Sequence, residues 1–250
     1  MLIYDLPDNV LAFTAGKGVQ GTAYGVDARQ TGVHTDTFHL PSERIFIPRQ
    51  THSVNVCWAT GPGEVPDTDA VITHVPDLCV AVKTADCIPV LLYDETQRLV
   101  AAIHAGWRGT VGRIVERTIR EMKSKGTDLH AIIGPGISLD AFEVGDEVYE
   151  AFLQAGFPMQ RIARRYPIPN PHPSAQPEGM RSERSGERTL NSEKWHLDLW
   201  EANRWLLEQA GVERIHVASV CTFSQVDRYY SARQETIKTG RNINGIMLKH

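Results

Sequence analysis

The sequence predicts an α+β fold: a mixed β-sheet core with helices packed on it, three-layer and α/β/α-like, in a single domain over 1–250. Three observations carry this reading. Short runs of β-branched and aromatic residues dominate before about residue 80. Beyond it, strand-like runs alternate with stretches of helical periodicity. With 250 residues, 42% hydrophobic and 22% charged, the chain can bury a substantial core, and wholesale disorder is excluded.

Taken in order, residues 1–60 mix β-branched and aromatic residues with glycines, and RIFIPRQTHSVNVCWA reads as strand, bend, strand. AVITHVPDLCVAV gives two more strands punctuated by Pro76-Asp77. The apolar runs Ile88–Tyr93 and Leu99–Ile103 flank a polar turn, Asp94–Gln97, and predict a hairpin. After Trp107, the spacing of Val111, Ile114, Val115, Thr118, Ile119 and Met122 predicts one helix, with Gly126 placed to end it. LHAIIGPGIS reads as a buried strand entering a glycine turn. A helix over Val144–Ala155 follows, with Val144, Val148 and Phe152 on one face and Gly156 at its end. The segment 166–190 is dense in Pro, Ser, Gly and Arg and lacks apolar periodicity, so it reads as an irregular excursion. A third helix is expected over Ser192–Ala210, then strands in VERIHVASVC and GIMLK.

Bulk properties narrow the function. A formal net charge of -4 with no long basic run gives no footprint for nucleic acid. No apolar stretch reaches the roughly 18 residues of a membrane span, and the start MLIYDLPDNV lacks the pattern of a signal peptide. The four cysteines, Cys57, Cys79, Cys87 and Cys221, form no C-x-x-C pair, so a disulfide scaffold is not indicated and a reducing cytoplasm is the default location.

The hairpin carries the first chemistry. A symmetric four-residue loop Asp94–Gln97 sets Tyr93 opposite Arg98 and, further along the ladder, Cys87 opposite His104. Facing residues have Cβ atoms about 4.5–5.5 Å apart. A thiol and an imidazole at that separation suit one metal, whose bonds to sulfur and nitrogen are roughly 2.3 and 2.0–2.1 Å for zinc. Next comes HAGWRGT, which places Gly106, Arg108 and Gly109 where a strand hands over to a helix. Unpaired helix N–H groups and a planar guanidinium favour an anion such as phosphate. The plainer alternative is that the two glycines only permit a tight turn.

A catalytic zinc needs a third protein ligand. Nine further histidines are available, and His52, at a strand bend in RQTHSVNV, suits a site better than a core, although spacing does not select it. Asp86 and Asp69 are candidates for supporting or acid/base roles, or for simple turn capping.

The motifs TADCIPVLL, IHAGWRGT, IGPGIS…AFEVG, GVERI…VCT and YYSARQE…KTGR stand in this order, and over roughly 45–248 the chain resembles the bacterial YfiH-like family. That family is also called the laccase-domain or polyphenol oxidase group, and is similar to the catalytic part of human FAMIN. The resemblance implies a zinc site of His52, Cys87 and His104. It also implies activity on purine nucleosides: phosphorolysis of adenosine, inosine or methylthioadenosine, and deamination of adenosine. On that reading Cys87 and His104 lie at the catalytic centre, and Asp86 or Asp69 is the candidate proton shuttle. Arg108 and the Gly106–Gly109 amides would hold phosphate, helped by Arg233 and Arg241. The partners expected are purine nucleoside and phosphate, with no nucleic acid and no membrane, the oligomeric state being left open. The chain departs from the family in FTAGKGVQGTAYG, where relatives usually carry TR-x-GG-x-S; Lys17 is the cation nearby.

Rival readings remain. The family association with peptidoglycan precursor editing allows a zinc hydrolase or a thiol hydrolase with Cys87 as nucleophile and His104 as base. A structural zinc module would need four protein ligands. A copper-dependent polyphenol oxidase is disfavoured because no H-x-H pair occurs, although copper can load such ligands in vitro.

Overall fold

The computed structural model describes residues 1–17, 26–27, 39–40, 42–167 and 193–250. Its strands run β1 (Leu2–Ile3), β2 (Val10–Ala15), β3 (Val26–Asp27), β4 (His39–Leu40), β5 (Ile45–Phe46), β6 (Val56–Trp58), β7 (Ala70–Thr73), β8 (Cys79–Thr84), β9 (Ile88–Asp94) and β10 (Leu99–Ala105). Helices α1 (Trp107–Val111) and α2 (Ile114–Met122) follow, then β11 (Leu129–Ile133), β12 (Glu143–Val144), α3 (Asp146–Gln154), α4 (Met159–Ile162) and β13 (Ala163–Pro167). The chain continues through β14 (Glu193–Leu197), α5 (Leu199–Gln209), β15 (Arg214–Val217) and β16 (Asn242–Leu248).

Alternation within the long strands sets the layers. Ile88, Val90 and Leu92 of β9, with Ala101 and Ile103 of β10, pack against Val115, Ile119, Phe152 and Leu206 of the helices. Their neighbours Leu91, Tyr93, Val100 and Ala102 face the other way, onto Val80, Val82, Ile246 and Leu248. A strand apolar on both sides must be covered on both sides. The six-stranded mixed sheet, in order β15-β11-β9-β10-β7-β6, therefore lies between the helices and a five-stranded mixed sheet, β1-β2-β16-β8-β5. The α+β class with mixed sheets holds. The layer opposite the helices, however, is a second sheet and not the helical layer of an α/β/α arrangement. A small sheet, β12-β14-β13, and the pair β3-β4 complete the described strands.

Three local expectations are corrected. The hairpin loop is Glu95–Arg98, so Asp94 faces Leu99, Tyr93 faces Val100 rather than Arg98, and His104 faces Pro89 rather than Cys87. The cause is Asp94, whose carboxylate accepts from the N–H groups of Thr96 (2.9 Å) and Gln97 (2.7 Å), while Arg98 closes the loop at φ 54°. This slide of two residues keeps every side chain on its expected face. Cys87 stays on the face of His104, but as a diagonal neighbour just beyond β9.

The helix expected after Trp107 is broken between α1 and α2, where Arg113 takes φ 59°; α2 ends at Lys123, ahead of Gly126. The helix expected from Ser192 begins only at Leu199, because Glu193–Leu197 pairs with both β12 and β13 as a strand. Of the helix read around Val144–Ala155, Asp146–Gln154 forms α3 with Val148 and Phe152 buried and Gly156 at φ 77°, whereas Val144 belongs to strand β12 before it. Of the irregular excursion 166–190, Tyr166 and Pro167 end β13 and the remainder lies outside the described residues. Among the described residues no helix is long and apolar enough to cross a membrane.

Candidate active site

The site grows from one buried carboxylate. Asp69, fully buried, directly precedes β7, and its backbone oxygen extends the β7–β10 ladder by accepting the N–H of His104 at 2.7 Å. This makes Asp69 and His104 cross-strand neighbours. The Asp69 carboxylate meets the Nδ1 of His104 at 2.7 Å. It also accepts the backbone N–H groups of Thr51 (3.2 Å), His52 (3.1 Å) and Ser53 (2.7 Å) and the Ser53 hydroxyl (2.7 Å). Those contacts fold the 51–53 bend around the carboxylate and hold His52 at φ 63°. Burial would raise the Asp69 pKa, but hydrogen bonds from His104 and Ser53 outweigh it and bring it down to about 2. With Nδ1 engaged by Asp69, the Nε2 of His104 is left for a ligand role.

Cys87 completes a trio. One ligand atom each from His52, Cys87 and His104 lie within 4.8 Å of one another, and the Cys87 Sγ is 3.9 Å from the His52 Nε2. Two ligands of a tetrahedral zinc, one sulfur and one nitrogen, stand about 3.5 Å apart. The trio therefore fits a metal with three protein ligands and a fourth position open. Burial would raise the Cys87 pKa; the charge of His104 and hydrogen bonds with both histidines bring it down to about 6, so the thiolate needed for metal binding is favoured. Gly106 makes room for this packing. A Cβ there would stand 2.9 Å from the Cys87 Sγ and 3.1 Å from the His52 Cδ2. Among the described residues this trio is the one cluster spaced for a metal.

All three ligands line a cleft of about 810 Å³. Its walls include Arg49, Gln50, Lys83, Arg233 and Arg241, with Ile137, Phe142 and Ile237 as the apolar part. Of the residues expected to hold phosphate, Arg233 and Arg241 are here, whereas Gly106, Arg108 and Gly109 are not among the lining residues. Arg108 lies over the Trp107 ring, 4.2 Å from its centroid, and Gly109 is buried inside the five-residue α1. Lys17 is drawn elsewhere, to Glu235 (2.7 Å) and the Val226 carbonyl (2.6 Å).

Asp86 sits on the cleft wall with its carboxylate committed. One oxygen accepts the Thr222 hydroxyl and the other the Arg233 N–H, each at 2.7 Å. It ties the ligand loop to the C-terminal loop, an arrangement suited to holding and not to shuttling protons. Sequence reasoning passed over Arg49 and Lys83. Their only signal was adjacency to quoted motifs, Arg49 three residues before His52 and Lys83 four before Cys87.

Residues 13–249 match the family described as multi-copper polyphenol oxidoreductase laccase. The chain belongs to this family. Within it, the chain is 40% identical over 222 residues to a purine nucleoside phosphorylase of Bacteroides thetaiotaomicron, covering 82% of this chain and 74% of that one. It is 34% identical to adenosine deaminase RL5 from an unknown prokaryotic organism, covering 89% and 79%. The crystal structure of Neisseria meningitidis protein NMB0706 superimposes with a TM-score of 0.72 at 30% identity, covering 100% of this chain and 99% of that one. It is also 30% identical over 211 residues to the purine nucleoside phosphorylase YfiH of Escherichia coli, covering 84% of this chain and 76% of that one, so the YfiH-like resemblance and the α+β fold both stand.

Proposed function

We propose that this enzyme is a zinc-dependent purine nucleoside phosphorylase with adenosine deaminase side activity, working as one catalytic domain in a reducing cytoplasm. The observation that carries the reading is the open three-ligand trio set in a cleft with both cationic and apolar walls. The named activities of its relatives support it. His52, Cys87 and His104 hold the metal. Zinc, when bound, supplies Lewis acidity and makes water ionise near neutral pH.

The chain's own residues do the rest. Asp69 fixes both histidines in place. Phe142, Ile137 and Ile237 offer an apolar wall for the purine, and the cations of the cleft receive the anionic co-substrate. Asp86 holds the loop that carries Arg233, Ile237 and Arg241 against the ligand loop. Arg108, stacked on Trp107, has no part in this assignment.

The test is direct. Metal-replete protein given adenosine and phosphate is expected to yield adenine and ribose 1-phosphate, with some inosine. No turnover of any common purine nucleoside would overturn the reading.

A further inference from the structure

Three cations on the cleft wall come from segments far apart in sequence. Strand order β16-β8-β5 makes them neighbours. Asn242 pairs with Thr84 and Ile243 with Lys83, which brings Arg241, one residue before β16, diagonally beside Lys83. Gln50 clamps the backbone of Lys83 from both sides: its amide donates to the Lys83 carbonyl and its oxygen accepts the Lys83 N–H, each at 2.7 Å. That clamp sets Arg49 next to Lys83.

The same face of this sheet is apolar along its length, where Ile45, Ile47, Ala81 and Ile243 pack together. Two residues after Ile47 and Ala81, and two before Ile243 on the antiparallel β16, the pattern switches to Arg49, Lys83 and Arg241. Among the described residues none of the three pairs with a carboxylate. The Arg241 guanidinium reaches only the carbonyls of Ile237, Thr239 and Gly240. In contrast, Lys17 is neutralised by Glu235, and Arg233 lies over Phe142 and donates to the Glu143 carbonyl. Three unneutralised cations lining one cleft of a protein with net charge -4 form a local positive field that an anion would relieve.

We propose that Arg49, Lys83 and Arg241 form the subsite for inorganic phosphate. This rests on the phosphorylase reading, and it moves the anion from the α1 start to the rim of the five-stranded sheet. Two guanidinium forks and one ammonium match a tetrahedral oxyanion.

Phosphorolysis consumes phosphate and deamination consumes water, so adenosine turnover gives two products that separate the arms. At subsaturating phosphate, Arg49→Gln, Lys83→Gln and Arg241→Gln are each expected to lower the ratio of adenine to inosine by about tenfold, the scale of one charged hydrogen bond. Titration calorimetry with inorganic phosphate on the metal-replete protein is expected to show weaker binding in the same variants. An unchanged ratio and unchanged phosphate affinity in all three would overturn the subsite. So would a fall in the ratio caused by Arg108→Gln instead. If the wild-type protein turns over no nucleoside, the phosphorylase reading fails on its own, and calorimetry still decides whether these cations bind phosphate.

Discussion

The two polar parts of the cleft are built on opposite plans. Around the candidate metal ligands, one buried carboxylate gathers five donors, and Asp69 and His104 are enclosed and hydrogen-bonded to each other. On the cationic rim, three side chains from three segments point into the cleft without a carboxylate partner among the described residues. A site for a resident ion gains from being preorganised, since its ligands are then positioned before the ion arrives. A site for a co-substrate that comes and goes gains from charge left unsatisfied. The contrast teaches that burial and pairing, more than residue type, separate holding from receiving.

The largest blow to this contrast is the loss of a ligand. Cys87→Ser is expected to weaken metal binding by more than about 100-fold, beyond the range of outer-shell changes, and to strip most of the metal on purification. Full occupancy by metal analysis would refute the ligand assignment.

Asp69→Asn comes next. It leaves the ligands in place but disturbs their support, so metal affinity should drop about 10–100-fold in a competition titration with a chromophoric chelator. The same variant should lose about 2–4 kcal/mol of stability in denaturant unfolding, as buried donors lose their acceptor. Acid unfolding adds a signed test. The folded Asp69 pKa of about 2 lies below the unfolded value near ~3.9, so its contribution is present above about pH 4 and disappears as pH falls through 2. The variant's stability should be flatter with pH across that window.

Gly106→Ala is expected to cost about tenfold in metal affinity, since the new methyl meets the Cys87 sulfur at 2.9 Å and one of them must shift. Smallest of all is Lys17→Met. It removes an exposed pair with Glu235 that steadies the loop before Arg241, and the phosphate KM should rise by no more than about fivefold.

Much of the site was legible because it depends on face and not on register. Parity alone put Cys87 and His104 on one side of the hairpin, and parity survived the two-residue slide caused by Asp94. The split between α1 and α2 was hidden because the apolar spacing runs across it; Arg113 at φ 59° leaves no trace in that pattern. The start of α5 was overcalled because β14 is half exposed and short, with weak alternation of its own. Arg49 and Lys83 were illegible for a different reason. Their proximity follows from the parallel pairing of β5 with β8, and Arg241 joins them because β16 enters on the other side of β8, long-range pairings that no local signal announces. The role of Asp69 was open in sequence and is explained by one backbone bond, from the His104 N–H to the Asp69 oxygen, that aligns it with the histidine.

The position of β16 also governs the order in which the molecule can be made. Strands β2 and β8 do not touch in the sheet; each waits for the strand formed by Asn242–Leu248. During synthesis the six-stranded sheet has all its strands once Val217 has emerged, whereas the other sheet stays open until residue 248. As the chain is made, the His52, Cys87 and His104 trio can therefore assemble before the cationic rim closes.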